Sequence, residues 1–312
     1  MRYSGIGGQA IMEGVMMRNG DQYAVAVRLP DKSIHVDVHP TKGNNKTIQK
    51  IPIVRGVYTF FWSLVVGLGS LMESASYFEE DENAKKPEEM TEEEKKQKAR
   101  KEKAEMGGTL LVSFVLALGI FMALPYGISA LIGRFITSAA LTAFIEGVLR
   151  VVIFILYIAL ISKTEDIKRT FMYHGAEHKC INCIESGLEL SVENVRKSTR
   201  LHKRCGTSFL FVVLLISIFI FMFIHMESHL MQLVLRLLLV PVIAGISYEF
   251  IRLAGRSESK FIDALSKPGL WLQKLTTKEP DDDMIEVGIA SVEAVFDWKK
   301  FQEGDENHCT LQ

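Results

Sequence analysis

The sequence has little net charge and few cysteines. Its 36 Lys and Arg residues nearly balance its 37 Asp and Glu residues, which leaves a formal net charge of −1. A chain without excess positive charge has no general attraction for nucleic acid, and we expect no nucleic-acid partner. The four cysteines are Cys180, Cys183, Cys205 and Cys309. Three of them lie in segments that we place in the cytosol below, where reduced thiols bind metal or pack rather than form disulfides.

The first twenty residues lack the uninterrupted apolar run of a cleavable signal peptide, so membrane insertion is expected to depend on internal helices. Residues 1–50 predict a small β-rich unit instead. The segments 23–29 and 33–39 alternate in character on either side of a turn at 30–32. An earlier strand is predicted around 9–17.

Long hydrophobic runs lie beyond residue 50, in a chain that is 48% hydrophobic. A helix needs ~20 apolar residues to cross a bilayer. Four stretches reach that length and are paired by short connections into two helical hairpins, namely 109–132 with 139–162 and 206–225 with 229–251. Residues 52–78 are also apolar, but an arginine and three glycines within them favour an interfacial or re-entrant helix over a full span.

Lys and Arg residues near the ends of these stretches predict their orientation. Basic residues precede the first span, fill the connection at 163–205 and follow the fourth span, whereas Arg134 is the only basic residue at the two hairpin tips. Cytoplasmic loops carry the excess of Lys and Arg in membrane proteins. The motif-bearing connection and both termini are therefore predicted to be cytoplasmic, in a multi-pass protein of the cell membrane with the lipid bilayer as a partner.

The predicted fold is an α-helical integral membrane protein with about four transmembrane helices in two hairpins and a small N-terminal β-rich subdomain. Its predicted parts are a β-rich cytosolic subdomain at 1–50, an interfacial or re-entrant helix at 51–78, a charged linker at 79–105, a membrane bundle at 106–251 with a cytosolic motif loop at 163–205, and a cytosolic helical tail at 252–312 with a disordered end.

The strongest chemical signal is the pattern His174-Gly175-Ala176-Glu177-His178. Two histidines four residues apart share one face of a helix and can bind one metal ion, and a glutamate between them is suited to deprotonate water. Glu185 lies about three helical turns beyond His174 and returns to that face as a candidate third ligand or supporting residue. The alternative is a helix end that carries solvated polar residues at the membrane surface.

A second motif, the sequence HKRCGTS, begins at His202 at the cytosolic mouth of the third predicted span. His202 and Cys205 are both ligands suited to zinc. If the connection folds back on itself, these two residues meet His174 and His178 in a four-ligand set. The alternative is a basic collar at the membrane interface.

The glycine-rich segment at 5–10 imitates a dinucleotide fingerprint, but the required preceding strand and βαβ unit are missing, so we expect no nucleotide site. The longer run at 7–18 favours a tight strand turn, with Gln9, Glu13 and Arg18 lining the metal site as the alternative.

Two further patterns are interpreted as structural. Cys180 and Cys183 form a C-x-x-C pair without a thioredoxin-like context, which indicates two packed thiols. Glu146 and Arg150 lie four residues apart in a predicted span, and an intrahelical ion pair explains them, with a polar pathway through the membrane as the alternative.

Five segments together resemble the YqhQ-like proteins. They are GGQAIMEGVMMR at 7–18, IPIVRGV at 51–57, YHGAEHKCINCIESG at 173–187, LHKRCGTSF at 201–209 and PGLWLQKLTTKEPDDDMIEVGIASV at 268–292. The YqhQ-like proteins are a bacterial family of uncharacterised multi-pass membrane proteins, with a domain of unknown function and sometimes labelled predicted metal-dependent enzymes. The resemblance covers most of the chain, apart from the charged linker and the last residues.

This resemblance implies a metal site as well as a membrane location. His174, Glu177, His178, His202 and Cys205 fall on the motifs of the YqhQ-like family. The two cysteines of the C-x-x-C pair are not required by those motifs, which further favours packing for them.

Two functions of different classes fit these observations. The first is a membrane-embedded metal-binding protein, a metal-dependent hydrolase at the cytoplasmic membrane face, with zinc as the default divalent metal. Its catalytic base would be Glu177, and its metal ligands would come from His174, His178, His202, Cys205 and Glu185. The second is a non-enzymatic membrane-protein assembly or translocation factor, with a membrane protein or the secretion machinery as partner, in which the same cluster is a structural staple. A transporter is a weaker third possibility, because the two hairpins show no inverted repeat.

Overall fold

The computed structural model describes residues 2–41, 48–78, 92–224, 228–256 and 259–304. Within these residues the fold is mostly helical, with one four-stranded antiparallel sheet near the N terminus. Residues 79–91 of the predicted charged linker and residues 305–312 of the predicted disordered end lie outside the described residues. The rest of the linker, 92–105, begins helix α2.

The sheet is a meander with the strand order β1-β2-β3-β4. Its strands are β1 (Gly7–Ile11), β2 (Gly14–Asn19), β3 (Gln22–Arg28) and β4 (Ile34–Pro40). The predicted strands at 23–29 and 33–39 are confirmed as β3 and β4.

The prediction of one strand around 9–17 is wrong, because a two-residue turn at Met12 and Glu13 divides this segment into β1 and β2. Glu13 takes a positive φ of 50°, which reverses the chain there. Gly14 follows with its backbone against β3, where an added Cβ would lie 2.2 Å from the carbonyl oxygen of Ala26. Only a residue without a side chain fits this position.

Eleven α-helices occur in the described parts of the chain. They are α1 (Val54–Ser76), α2 (Glu92–Leu118), α3 (Leu124–Ile132), α4 (Ala139–Ile161), α5 (Glu165–Glu185), α6 (Val192–Lys197), α7 (Gly206–Phe221), α8 (His229–Arg256), α9 (Lys260–Thr276), α10 (Asp282–Glu293) and α11 (Trp298–Glu303). A π-helical turn at Gly119–Ala123 joins α2 to α3, so the two form one continuous rod.

Four helical segments of the described chain are long and apolar enough to cross a membrane: 54–76, 107–135, 139–161 and 230–255. Three of them match predicted spans. The prediction of a bilayer-length helix within 206–225 is wrong, because α7 has 16 residues. At 1.5 Å per residue it covers about 24 Å, less than the ~30 Å of the hydrocarbon layer. The number of segments long enough to cross a membrane is still four, because α1 reaches that length and α7 does not.

Helix α1 packs against the sheet along its C-terminal half. The side-chain amide of Gln9 donates to the carbonyl oxygen of Gly67 at 3.0 Å, and the backbone N–H of Met12 donates to the hydroxyl of Ser74 at 3.2 Å. The N-terminal half of α1 crosses α8, where a Cβ on Gly56 would lie 2.7 Å from the carbonyl oxygen of Gly245. Small residues allow two helix backbones to approach this closely.

The remaining face of α1 is apolar and exposed. Its exposed side chains are three, four or seven residues apart, so they share one face of the helix. They include Val54, Phe61, Val65, Leu68 and Met72. A helix with protein on one side and an apolar stripe on the other matches an interfacial helix as well as a spanning one. The predicted interfacial or re-entrant role of this segment therefore stays a prediction.

A buried ion cluster joins the apolar helices. Glu146 of α4 accepts hydrogen bonds from Arg150 of the same helix at 2.7 Å and from Arg236 of α8 at 2.6 Å. Arg150 also donates to the hydroxyl of Ser217 on α7 at 3.4 Å. The predicted intrahelical pair is present, and it extends into a cluster that links three helices.

The main core outside these apolar helices lies between the sheet, α5 and the C-terminal segment. It includes Val15 and Met17 of the sheet, Ile181 and Ile184 of α5, and a set from the tail consisting of Met284, Ile285, Val287, Val292, Phe296, Trp298 and Phe301. The predicted tail helix that starts at Asp281–Asp283 is confirmed as α10. It forms part of the core that supports α5.

Candidate metal site

Helix α5 carries both histidines of the His174–His178 motif on one face, as the four-residue spacing predicts. Their ring centroids lie 4.4 Å apart. Gly175 between them faces the chain after α9, where an added Cβ would lie 2.0 Å from the carbonyl oxygen of Lys278. The absence of a side chain at this position lets the C-terminal segment close over the helix beside the motif.

Cys205 joins the two histidines from the N-terminal cap of α7. Its Sγ atom lies 3.2 Å from Nε2 of His174. One ligand atom from each of His174, His178 and Cys205 lies within 4.8 Å of the other two. Among the described residues, this is the one group of three or more His, Cys, Asp or Glu side chains with that spacing.

Two backbone carbonyl oxygens orient the imidazole rings. Nδ1 of His174 lies 2.8 Å from the carbonyl oxygen of Thr276, and Nδ1 of His178 lies 2.6 Å from that of Arg200. Because a carbonyl oxygen only accepts, each Nδ1 carries a proton, and Nε2 is the nitrogen that a neutral ring would offer to a metal. Both rings thus present Nε2 to the thiol of Cys205.

The charges of this group are strongly coupled. Burial alone lowers the pKa of His174, but the neighbouring Cys205 thiolate and Glu177 raise it to about 9. Burial likewise opposes ionisation of Cys205, yet His174 and His178 hold the pKa of its thiol well below the ordinary value. The thiolate form, which is the form that binds metals, is therefore favoured at neutral pH.

The types of the three candidate ligands, and the distance between two of them, fit a zinc-like ion. Tetrahedral zinc with bonds of about 2.05 Å to nitrogen and 2.3 Å to sulfur separates neighbouring ligand atoms by about 3.3 to 3.6 Å. The 3.2 Å between Sγ of Cys205 and Nε2 of His174 is close to that separation. The residues present therefore supply three ligands of the types that zinc prefers and leave a fourth position for water or substrate.

Glu177 borders this group without belonging to it. Its Oε2 atom lies 3.8 Å from Nε2 of His174 and 3.9 Å from Nε2 of His178, and its side chain is 6% exposed. Gly8 of β1 lies directly beside it, since a Cβ there would stand 3.0 Å from Cγ of Glu177. The carboxylate thus faces the space between the two Nε2 atoms of the candidate ligands.

His202 and Glu185 lie near the three-residue group and form a separate polar pair. Nε2 of His202 lies 3.5 Å from Oε2 of Glu185, and the His202 ring is 5.7 Å from that of His178. Glu185 also accepts hydrogen bonds from Ser4 at 2.7 Å and from Arg204 at 2.5 Å. Burial raises the pKa of Glu185, but the bond to His202 and the charge of Arg204 outweigh it and lower that pKa to about 2. Metal binding by His202 and Glu185 stays a prediction.

The group opens into a cavity of about 470 Å³, which we name the metal cavity. Its lining includes Glu177 and the three candidate ligands, together with Gln9 and Arg18 of the sheet and Trp62 of α1. The tight turn favoured for the glycine-rich run is present at Met12 and Glu13, and Gln9 and Arg18 line the cavity, while their part in a metal site stays a prediction. Glu13 instead lies beyond the lining, where its carboxylate bonds Arg169.

Some residues that build the site escaped the sequence analysis. The side-chain amide of Gln273 on α9 holds the backbone of His202 on both sides, by accepting from its N–H at 2.8 Å and donating to its carbonyl oxygen at 2.7 Å. Thr276 and Arg200 act through their carbonyl oxygens, which no side-chain pattern reveals. Gln273 stands within the tail segment of the family resemblance, and that placement was the available signal.

The C-x-x-C cysteines face away from the candidate ligands. Cys180 and Cys183 are buried in the core between α5 and α10. An added Cβ on Gly288 would lie 2.9 Å from Sγ of Cys180. Burial raises the pKa of the Cys180 thiol, which favours the unreactive protonated form. The interpretation as packed thiols agrees with this environment.

Comparison with known proteins gives a family and one curated relative. Residues 51–298 match the family described as "Protein of unknown function (DUF1385)". The chain is 34% identical over 288 residues to "Uncharacterized protein YqhQ" of Bacillus subtilis (strain 168), and the match covers 91% of this chain and 90% of that protein. No solved structure matches the chain.

Proposed function

This chain belongs to the DUF1385 family of proteins of unknown function, and we propose that it is a membrane-embedded metal-dependent hydrolase that acts at the cytoplasmic membrane face. The observation that carries the proposal is the convergence of His174, His178 and Cys205 on one point at the edge of a cavity. Glu177 is the proposed catalytic base, and zinc is the proposed metal.

The arrangement has the parts of a hydrolytic site. When bound, a divalent metal supplies Lewis-acid chemistry that activates water for attack on a carbonyl or phosphoryl group. The carboxylate of Glu177 stands within 4 Å of both histidine Nε2 atoms, where it is placed to accept a proton from that water. The metal cavity gives a substrate group of small-molecule size access to this point.

The proposed location rests on the apolar helices. Four segments have the length and composition of membrane spans. The basic residues concentrate in the segment that precedes 107–135, in 163–205 and after α8, and cytoplasmic loops of membrane proteins carry such an excess. The metal site would therefore face the cytoplasm, where thiols such as that of Cys205 remain reduced.

Elemental analysis of protein purified without chelator tests the metal. The expected result is about one zinc or other divalent ion per chain, with the content falling at least tenfold in Cys205→Ala. Absence of stoichiometric metal from the wild-type protein would contradict the proposal.

A specific observation also favours a second function, that of an assembly or translocation factor. The candidate ligands tie together three segments, since His174 bonds Thr276 of α9 and His178 bonds Arg200 of the motif loop. A metal at this point would join α5 to the start of α7 without any chemistry, and the bond from His174 to Thr276 would hold α9 against them. The partner would then be a membrane protein or the secretion machinery.

The variant Glu177→Gln distinguishes these two functions. As a catalytic base, Glu177 would be needed for hydrolysis and not for metal binding, so the variant would keep its metal and lose activity by 10²-fold or more. As part of a staple, Glu177 could be replaced with metal content and complementation of a deletion strain both unchanged. Complementation by Glu177→Gln would therefore exclude the hydrolase and leave the staple.

A further inference from the structure

A second cavity lies beside the metal cavity, between the sheet and α1. We name it the sheet–α1 groove, and its volume is about 550 Å³. Its wall on the sheet side consists of Tyr23, His39 and Pro40, and its wall on the helix side consists of Tyr58, Phe61, Trp62, Val65 and Val66. The rings of Tyr23 and His39 stack with centroids 5.0 Å apart and form a flat aromatic side. The groove therefore suits an apolar occupant.

The two cavities share part of their lining. Trp62 and Val66 of α1 border both the metal cavity and the sheet–α1 groove. On the metal side, the guanidinium of Arg18 stands 4.0 Å from the centroid of the Trp62 ring. One tryptophan thus has a charged, polar cavity against one side and an apolar groove against another. A molecule that passes Trp62 would occupy both.

The groove also opens toward the apolar surface of the protein. Phe61 and Val65, which line it, are 51% and 72% exposed. They belong to the exposed apolar stripe of α1, and α1 is one of the segments with the composition of a membrane helix. Lipid chains that cover this stripe would therefore meet the mouth of the groove.

We propose that the sheet–α1 groove binds the acyl chain of a membrane lipid whose polar head group enters the metal cavity. The assignment of the head group to that cavity rests on the proposed function. The groove lies within the range of about 300 to 1,000 Å³ that is common for ligand sites. A helix of about 11 Å diameter occupies roughly 1,000 Å³ in two turns, so a transmembrane peptide exceeds the groove and a single chain does not.

A photo-crosslinking experiment tests the lipid. The full-length protein is reconstituted in vesicles of phosphatidylethanolamine and phosphatidylglycerol that contain a trace of phosphatidylglycerol with a diazirine in its acyl chain. After irradiation, the modified residues are mapped by mass spectrometry. The expected crosslinks fall on Tyr23 and His39 of the sheet. Lipids that cover only the exposed stripe of α1 would not reach these two residues.

Two matched variants separate the groove from the lipid-facing surface. Val65→Trp adds bulk inside the groove and is expected to lower crosslinking at Tyr23 and His39 at least fivefold. Leu64→Trp adds the same bulk to the neighbouring position of α1, which lines neither cavity and is 47% exposed, and is expected to leave that crosslinking unchanged.

Three results of these experiments would contradict the proposed lipid site. The first is the absence of crosslinks on Tyr23 and His39. The second is an equal loss of crosslinking in Val65→Trp and Leu64→Trp. The third is displacement of the probe by an apolar helical peptide but not by unlabelled lipid. Zinc is measured in the same samples. Metal without crosslinks in the groove contradicts the lipid proposal alone, whereas crosslinks in the groove without metal contradict the metal-dependent hydrolase alone.

Discussion

Carbonyl oxygens of Thr276 and Arg200 set the orientation of the two motif histidines, at 2.8 Å and 2.6 Å from their Nδ1 atoms. Hydrogen bonds to the outer nitrogen of a metal-binding imidazole fix its tautomer and raise its basicity. Backbone groups of two other segments therefore fix the direction of the inner Nε2 atoms, as the proposed metal site would require. Mutation of the Thr276 or Arg200 side chain would leave those carbonyl oxygens in place.

Metal content should depend on His178 more than on His202. His178→Ala removes one of the three clustered ligand atoms, and we expect the metal content to fall at least tenfold. His202→Ala removes a ring that faces Glu185, outside that cluster, and we expect at least half of the metal to remain. Elemental analysis of both purified variants checks this, and an equal loss in the two would place His202 among the ligands.

Gly175 should be intolerant of a side chain. A Cβ there would stand 2.0 Å from the carbonyl oxygen of Lys278, a backbone atom that cannot move alone. We expect Gly175→Ala to lower the melting temperature by several degrees, which corresponds to overpacking of about 1–3 kcal/mol. The matched control is Gly69→Ala on α1, where nothing lies within 4 Å, and helix propensity there predicts a small gain. Equal melting temperatures for the two variants would contradict the close contact.

Glu185 should stabilise the fold in a pH-dependent way. Its pKa is about 2 in the folded protein and 4.5 ordinarily, a difference of roughly 3 kcal/mol. Because the folded-state pKa is the lower one, the stabilisation is complete above about pH 4.5 and is lost as the pH falls toward 2. We expect Glu185→Gln to melt well below the wild type at pH 7, and this gap to narrow as the pH decreases below 4.5.

Thermal melting from pH 7 to pH 3 measures this effect. The exposed Glu189 provides a control, since Glu189→Gln should change the melting temperature little at any pH. A gap between Glu185→Gln and the wild type that stayed constant down to pH 3 would show that the charge of Glu185 is not the cause.

The positions of the candidate ligands along one helix were easier to predict from the sequence than the way the candidates group in space. The four-residue spacing of His174 and His178 is a local property of one helix, so it could be read directly. The meeting of Cys205 with them depends on the path of the connection, which the sequence supplied only as a hypothesis. The pairing of Glu185 with His202 also involves Arg204 and Ser4, and Ser4 lies 181 residues from Glu185 in the chain, so no local pattern indicates this contact.

At the scale of helices and strands, the composition of a segment predicted its apolar character reliably but predicted the length of its helix less well. The segments 109–132, 139–162 and 229–251 correspond to bilayer-length helices. The segment 206–225 is equally apolar, yet α7 ends at Phe221. In the sheet, alternation gave the strands at 23–29 and 33–39, whereas the turn at Glu13 requires a positive φ that alternation does not indicate.

The ion cluster among the apolar helices should be essential for their packing. Glu146→Gln leaves Arg150 and Arg236 without a countercharge in a buried place, and breaking such a pair costs about 3–5 kcal/mol. We expect the variant to unfold at clearly lower denaturant concentration in detergent micelles. The control is Glu249→Gln, whose ion pair with Arg55 is partly exposed and should contribute at most about 1 kcal/mol. Equal midpoints for the two variants would contradict a structural role for the cluster.

At the scale of the whole molecule, the C-terminal segment is part of the core. The predicted cytosolic tail provides buried side chains of α10 and α11 that pack on α5 and the sheet. Sequence analysis indicated its helical character because the apolar spacing is local. Its position against the sheet could not be predicted, because contacts between the two ends of a chain leave no local pattern.

Truncation tests this arrangement. A chain that stops after Pro280 loses α10 and α11 and exposes the apolar faces of α5 and the sheet, so we expect it to aggregate or to be degraded in cells. A chain that stops after Gly304 loses only residues beyond the described part and should accumulate normally. Membrane accumulation of each form is measured by immunoblot, and a stable, metal-loaded protein ending at Pro280 would contradict the role of the tail.

The metal cavity is built from both ends of the chain, since Gln9 lines it and Thr276 orients one of its histidines. A ribosome that adds 5–20 residues per second needs on the order of tens of seconds to travel between these two positions. During that interval the first apolar helices are already available to the insertion machinery, while the N-terminal strands still await α10. The cavity is therefore complete only after Thr276 and α10 have been made, so a metal that binds there would be held in its final environment only after those segments have folded back onto the sheet.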